Sequence, residues 1–226
     1  MRHLIIVGLI SITSLFGFSS AYTPNLNMIT KNIKCNKILH KKAFDICYNY
    51  KHKTPNVVAY TLYGNLVNKN NLSKKHLSFR PDYEIPKQYR SYSKDYTHSG
   101  YDRGHNAPNA SFDYNKSIQK ETFLMSNIAP QAKWLNRRYW AKLEKLARFL
   151  AVKYKKVEVL NGNCGSKGHL KNNVNIPAYW FKVIYVSNKK SLPLVFLAPN
   201  TNQKMKTAKI KDYSSSLIEL KQKCGF

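Results

Sequence analysis

Between Asn136 and Lys155 the apolar residues Trp140, Leu143, Ala147 and Leu150 recur at three- and four-residue steps. That spacing places them on one face and predicts a helix over about 137–154. Shorter runs of β-branched and aromatic residues predict strands at 56–62, 123–128, 157–160, 179–186 and 193–198. A short last helix is expected at 213–223. Residues 22–55 are polar, basic and read as irregular, and 161–176 reads as a loop rich in Gly, Asn and Lys. Residues 64–100, rich in Asn, Lys, Ser, Tyr and Pro, read as one long loop, a length that usually signals function or disorder. No repeat or low-complexity linker divides the chain, and the mix of elements is α+β.

The start of the chain follows another rule. Arg2 and His3 precede an apolar stretch from Leu4 to Phe18, and Ser19-Ser20-Ala21 supplies small residues. This is the pattern of an export signal cleaved after Ala21. The apolar stretch of about 15 residues is short for a bilayer span, which needs roughly 20. The expected division is therefore a signal peptide at 1–21 and a single domain at 22–226, without stable membrane insertion after cleavage. Export places the protein in the periplasm or outside the cell. There, Cys35, Cys47, Cys164 and Cys224 suggest two disulfides, for which three pairings exist. We expect Cys35–Cys47 to close a local loop and Cys164–Cys224 to tie down the C-terminus. Without a Cys-x-x-Cys, zinc is the weaker reading.

Composition narrows the partners. The chain has 226 residues, with 38 Lys and Arg against 11 Asp and Glu, a formal net charge of +27. Lysine richness alone can follow from base composition, but a shortage of acids cannot be explained that way. Such a surface attracts polyanions and speeds their capture. Nucleic acid is the first candidate, an anionic membrane the second, and a charged face with no polyanion partner the third.

The chemistry concentrates at Asp102-Arg103-Gly104-His105, followed by Asn127, Asn136 and Glu144. A neutral imidazole can take a proton from water near pH 7, so His105 is a candidate base. Arg103 offers a fork of donors to a phosphate oxygen. Gly104 would let the backbone bend beside the site. Asp102 would either orient the segment or cap a turn. Asn136 carries a hard amide oxygen acceptable to magnesium, and is equally a favoured helix cap. Glu144, eight residues on, lies about 80° around an α-helix and could hold a metal-bound water. Its alternative is a solvated residue pairing with Lys142 or Lys145. A two-metal site would want several carboxylates; few are near, so one metal with mostly water ligands fits better.

Tyr101-Asp102-Arg103-Gly104-His105-Asn106-Ala107-Pro108 resembles the signature of the DNA/RNA non-specific endonucleases, the ββα-metal or His-Me finger family. The resemblance continues through Ser126-Asn127-Ile128-Ala129-Pro130-Gln131, Leu135-Asn136, Trp140, Leu143-Glu144, Ile176-Pro177-Ala178-Tyr179-Trp180 and Lys182-Val183-Ile184, with Pro55 to Tyr60 upstream. It covers about residues 42–200. It implies an α+β, ββα-metal fold with a central, mainly antiparallel sheet flanked by helices. It also implies a sugar-non-specific endonuclease that acts on DNA and RNA and leaves 5′-phosphate ends. His105 would be the general base, Asn136 the sole direct protein ligand of Mg2+ (with Mn2+ a possible substitute), and Glu144 the holder of a metal-bound water. Asn127 would orient the site and Arg103 would stabilise the phosphate. A further arginine, Arg80 or failing that Arg90, would contact it. Asn106 and Asn109 depart from common family residues, but neither is a catalytic position. Two competing readings remain at this point. One is an exported DNA-binding or uptake protein on an inactive nuclease scaffold. The other is a membrane-active cationic protein, which would want a free amphipathic basic helix; 137–154 instead reads as bound to the core by its apolar face.

Overall fold

The computed structural model describes residues 30–67, 69, 71–186 and 192–226. The expected signal at 1–21 lies outside them. The strands in chain order are β1 (Lys37–His40), β2 (Phe44–Asn49), β3 (Thr54–Tyr63), β4 (Tyr101–His105), β5 (Ile128–Ala132), β6 (Lys156–Cys164), β7 (Tyr179–Val186), β8 (Leu194–Pro199) and β9 (Ser214–Ser215). The helices are α1 (Lys116–Thr122), α2 (Ala141–Tyr154) and α3 (Leu217–Cys224). Seven strands form one antiparallel sheet in the order β1-β2-β3-β6-β7-β8-β9, and β4 pairs with β5 in a separate two-stranded ribbon.

Alternation along the central strands builds two cores. Val58, Tyr60 and Leu62 of β3 face one side with Val157, Val159, Trp180 and Ile184. That side packs against α2 through Trp140, Leu143, Ala147 and Leu150, the face that the sequence spacing marks out. Val57, Ala59, Leu160, Phe181 and Val183 face the other side, under Leu220 of α3. Both cysteine pairs form as expected. Cys35–Cys47 pins the segment before β1 onto β2, and Cys164–Cys224 ties α3 to the end of β6.

Several boundaries differ from the sequence reading, each for a tertiary reason. Residues 22–55 are not irregular throughout, because β1 and β2 lie within them. Asp45 interrupts the apolar run of β2, yet it is fully buried, with the His40 ring nitrogen Nδ1 at 2.9 Å. β6 runs on into the supposed 161–176 loop because β3 and β7 both pair with it as far as Gly162. A Cβ on Gly162 would collide with Phe181 and the Asn56 carbonyl, so glycine is what lets the strands close there. The strand expected at 123–128 is instead a pair of turns leading into β5. Pro130 sits inside β5, and a two-stranded ribbon tolerates a proline that a central strand would not. Helix α1 was not anticipated; Asn115 caps it, accepting from the amides of Ser117 and Ile118. The helix expected at 137–154 begins with a π-helical turn, Leu135–Trp140, before α2.

Gly104 corrects the expected bend. It lies in mid-strand, opposite Ala129. A Cβ there would stand 2.7 Å from Gln131 Cβ and 3.0 Å from Trp180 Cη2. The glycine is needed so that the ribbon can seat on the sheet, not for flexibility. Gly104→Ala should cost about 1–3 kcal/mol, in the range of core overpacking. In a chain of this size that appears as a melting point lowered by several degrees. An unchanged melting curve would contradict this account.

Candidate active site

His105 ends β4, opposite Ile128. Its ring packs between Phe79, centroids 5.3 Å apart, and Phe123, 5.2 Å apart and edge-on. Nε2 is buried and has no hydrogen-bond partner among the described residues. Burial, and secondarily the charge of Lys74, lowers the pKa from 6.5 to about 4. The ring is thus neutral at pH 7 and keeps a lone pair available for a proton.

Arg103 lies two residues earlier, on the same side of the strand. One terminal nitrogen donates to the Ser93 carbonyl at 2.6 Å. The guanidinium sits 5.7 Å from the Phe79 ring centre and 5.6 Å from that of Tyr96. These contacts hold the plane, while the buried Nε has no hydrogen-bond partner among the described residues. A donor kept dry and oriented in this way suits a phosphate oxygen.

Asp102 joins the ribbon to the helix. Its carboxylate accepts two bonds from Arg137, both 2.8 Å, and one from Asn136 Nδ2 at 3.0 Å. Burial alone would raise the carboxyl pKa, but hydrogen bonds from Arg137 and Asn136, with the charges of Arg137 and Lys133, lower it. Of the two readings for Asp102, the orienting one is correct. Asn136 makes no capping bond; it sits inside the π turn. Such turns are frequent at functional sites. With Nδ2 held by Asp102, the amide plane is fixed and Oδ1 is the atom left to face a ligand. The π turn also alters the angle between Asn136 and Glu144 expected for a uniform α-helix.

Glu144 is half-buried on α2. Burial raises its pKa, and Lys182, Arg148 and Lys74 pull it back. It is not the solvated partner of Lys142, whose Nζ donates instead to the Ala208 carbonyl at 2.7 Å. Three cations here escaped the sequence reading as site residues. Lys182 of β7 is fully buried, 4.9 Å over the Trp140 ring, and its Nζ has no hydrogen-bond partner among the described residues. Burial lowers its pKa, against the pull of Glu144. The period of two on β7 was a usable signal, since it places Lys182 inward between Trp180 and Ile184. Arg148, one turn beyond Glu144, has a buried terminal nitrogen with no partner. Lys74, from the long loop, acts on both His105 and Glu144.

The remaining expected residues fall elsewhere. Asn127 is fully buried beneath the ribbon. It donates to the carbonyls of Ala107 and Thr122, both 2.9 Å, and accepts from the Ala107 amide at 2.8 Å. All these groups are used in fixing the chain just after His105. Arg80 donates to the Lys120 carbonyl at 2.8 Å. Arg90 donates to the carbonyls of Ile85 and Tyr83 and lies over the Tyr83 ring, a clamp on its own loop. Lys74 is a further upstream cation, whose charge reaches His105 and Glu144.

The described residues contain no group of three or more His, Cys, Asp or Glu able to hold a metal. A fully protein-ligated ion is therefore not what this donor set suits. One oriented amide oxygen with a carboxylate nearby fits a hydrated, hard divalent cation.

Lys182→Met tests the Glu144 environment. Replacing a buried, partnerless ammonium by an apolar side chain of similar length should leave the melting point unchanged or raised. It also removes a charge that lowers the Glu144 pKa, so that pKa should rise further. Any activity that needs the Glu144 carboxylate would then fail at higher pH than in the parent. An acidic limb that does not move would show that Lys182 has no influence on Glu144.

The sequence model of the DNA/RNA non-specific endonucleases matches residues 23–226, reaching past both ends of the resemblance at 42–200. The chain is 29% identical to a protein named mitochondrial nuclease from Saccharomyces cerevisiae, over 82% of this chain and 63% of that one. It is 32% identical to a nuclease from Nostoc sp., over 85% of this chain and 68% of that one. It is 30% identical to nuclease C1 of Cunninghamella echinulata, over 83% and 80%. The chain thus spans less than two thirds of the yeast relative. Among solved structures, the crystal structure of the EndoG/EndoGI complex superposes with a TM-score of 0.79 at 24% identity, covering 90% of each chain. The fold is therefore the expected α+β one, a mainly antiparallel sheet with helices.

Proposed function

Because this chain belongs to the DNA/RNA non-specific endonuclease family, we propose that it is an exported, magnesium-dependent nuclease that hydrolyses DNA and RNA without reading base sequence and leaves 5′-phosphate ends. The observation that carries the reading is the Asp102 clamp. It locks the strand bearing Arg103 and His105 to the helix bearing Asn136 and Glu144. Export rests on the N-terminal pattern and is supported by two disulfides. No helix among the described residues is long and apolar enough to cross a membrane.

The basic surface captures the polyanion through its phosphates. His105, neutral at pH 7, takes a proton from a water whose oxygen attacks phosphorus in line, while the P–O3′ bond opposite breaks. Arg103 donates to the non-bridging oxygens as charge builds on them. Glu144, as the carboxylate, orients a second water that gives a proton to the departing O3′, and the hydroxide left recovers one from protonated His105. Asn136 Oδ1 would hold the magnesium ion, which supplies positive charge beside the scissile phosphate when bound.

Circular plasmid and RNA incubated with the purified protein test this. Both should be degraded with magnesium and neither with chelator. DNA that is retarded but intact in every lane would overturn the reading in favour of a binding protein on a nuclease scaffold.

A further inference from the structure

Trp134 collects three cations. Lys206 Nζ lies 4.4 Å from its ring centre, Lys133 Nζ 4.9 Å and the Arg138 guanidinium carbon 5.9 Å. All three are exposed and the indole is half-exposed. None of the ion pairs among the described residues includes them. An indole attracts one cation readily; three at once repel each other, and an anion between them relieves the repulsion.

The setting is rigid and close to the catalytic segment. The Trp134 amide donates to Asn202 Oδ1 and the Ala132 amide to Asn200 Oδ1, each at 2.8 Å. These bonds fasten the segment to the loop that supplies Lys206, and buried Met205 seats that loop. Trp134 stands two residues before Asn136, and the charge of Lys133 reaches Asp102, which holds the Asn136 amide.

We infer that Trp134, with Lys133, Arg138 and Lys206, forms a platform for an unpaired nucleotide of the substrate strand, its base stacked on the indole and its phosphates held by the three cations. The inference deepens the nuclease reading and rests on it. An aromatic face ringed by cations is what binds single strands without sequence preference. A base inside a duplex is already stacked and offers no free face.

The first test needs no variant. The chain has three tryptophans, and Trp140 and Trp180 are fully buried. Intrinsic fluorescence therefore reports mainly on Trp134 when a ligand stacks there. Titration with a single-stranded oligonucleotide in chelator should quench it. The matched duplex should quench it less at equal occupancy, measured by anisotropy of a labelled strand. Trp134→Ala should weaken single-strand binding about tenfold, with Trp134→Phe restoring most of it. Lys206→Ala should lower the salt slope of binding by about one. Saturating single strand without quenching, or equal quenching by duplex, overturns the platform. A parental protein that cleaves RNA and plasmid without such quenching sinks the platform alone. One that is quenched but never cleaves sinks the nuclease reading and leaves the platform standing.

Discussion

His105→Ala should lower the cleavage rate about 10²- to 10⁴-fold, the range removed with a general base, while leaving nucleic-acid affinity near the parental value. Affinity survives because the ring is packed between Phe79 and Phe123 and carries no charge at pH 7. Single-turnover cleavage and binding of the same labelled oligonucleotide separate the two quantities. Cleavage at the parental rate would refute the assignment of the base. A control for folding follows from linkage. The folded pKa of about 4 lies below the ordinary imidazole value of 6.5, so between these values the unfolded chain binds more protons at this position. The stability contributed by the neutral ring is complete above pH 6.5 and is lost as pH falls toward 4. Melting points of the parent should fall across that window, and less steeply in the variant. The acidic limb of activity should belong not to His105 but to Glu144, because burial raises that carboxyl above its usual 4.5. The parental pH profile and the shifted profile of Lys182→Met together check the order of the two groups.

Asn136→Ala should also abolish turnover, by a different route. It removes the one oriented amide oxygen and leaves Asp102 with Arg137 alone. Asp102→Ala should be milder, costing about 10- to 100-fold in metal affinity or activity, as is usual for a group that orients a ligand. Raising magnesium should recover much of the loss in Asp102→Ala and little in Asn136→Ala. Cleavage measured against magnesium concentration for both variants decides this. Equal recovery in the two would mean that Asn136 is not the ligand.

What the chain shows by itself is unevenly distributed. The α2 face was legible because four apolar residues at helical spacing bury on one side whatever else the fold does. The core strands β3, β7 and β8 were legible because an inner strand carries its own β-branched and aromatic run. The disulfide pairing was legible from one local loop and one tie to the C-terminus, and Asp102, Arg103 and His105 stand in one short motif. Other features depended on contacts between distant segments. Asp45, Asn161 and Lys182 are polar residues on inward faces, where only a particular partner or site justifies burial. The π turn at Leu135–Trp140, the choice of Asp102 as the anchor of Asn136, and the binding of Arg90 to its own loop all rest on which groups meet in space. The charge of Lys74 acting on His105 and the arrival of Lys206 over Trp134 belong with them. Local periodicity reports how an element buries its own surface. Charges and hydrogen bonds between residues tens of positions apart leave no period in the chain, so tertiary structure alone decided what stands around His105.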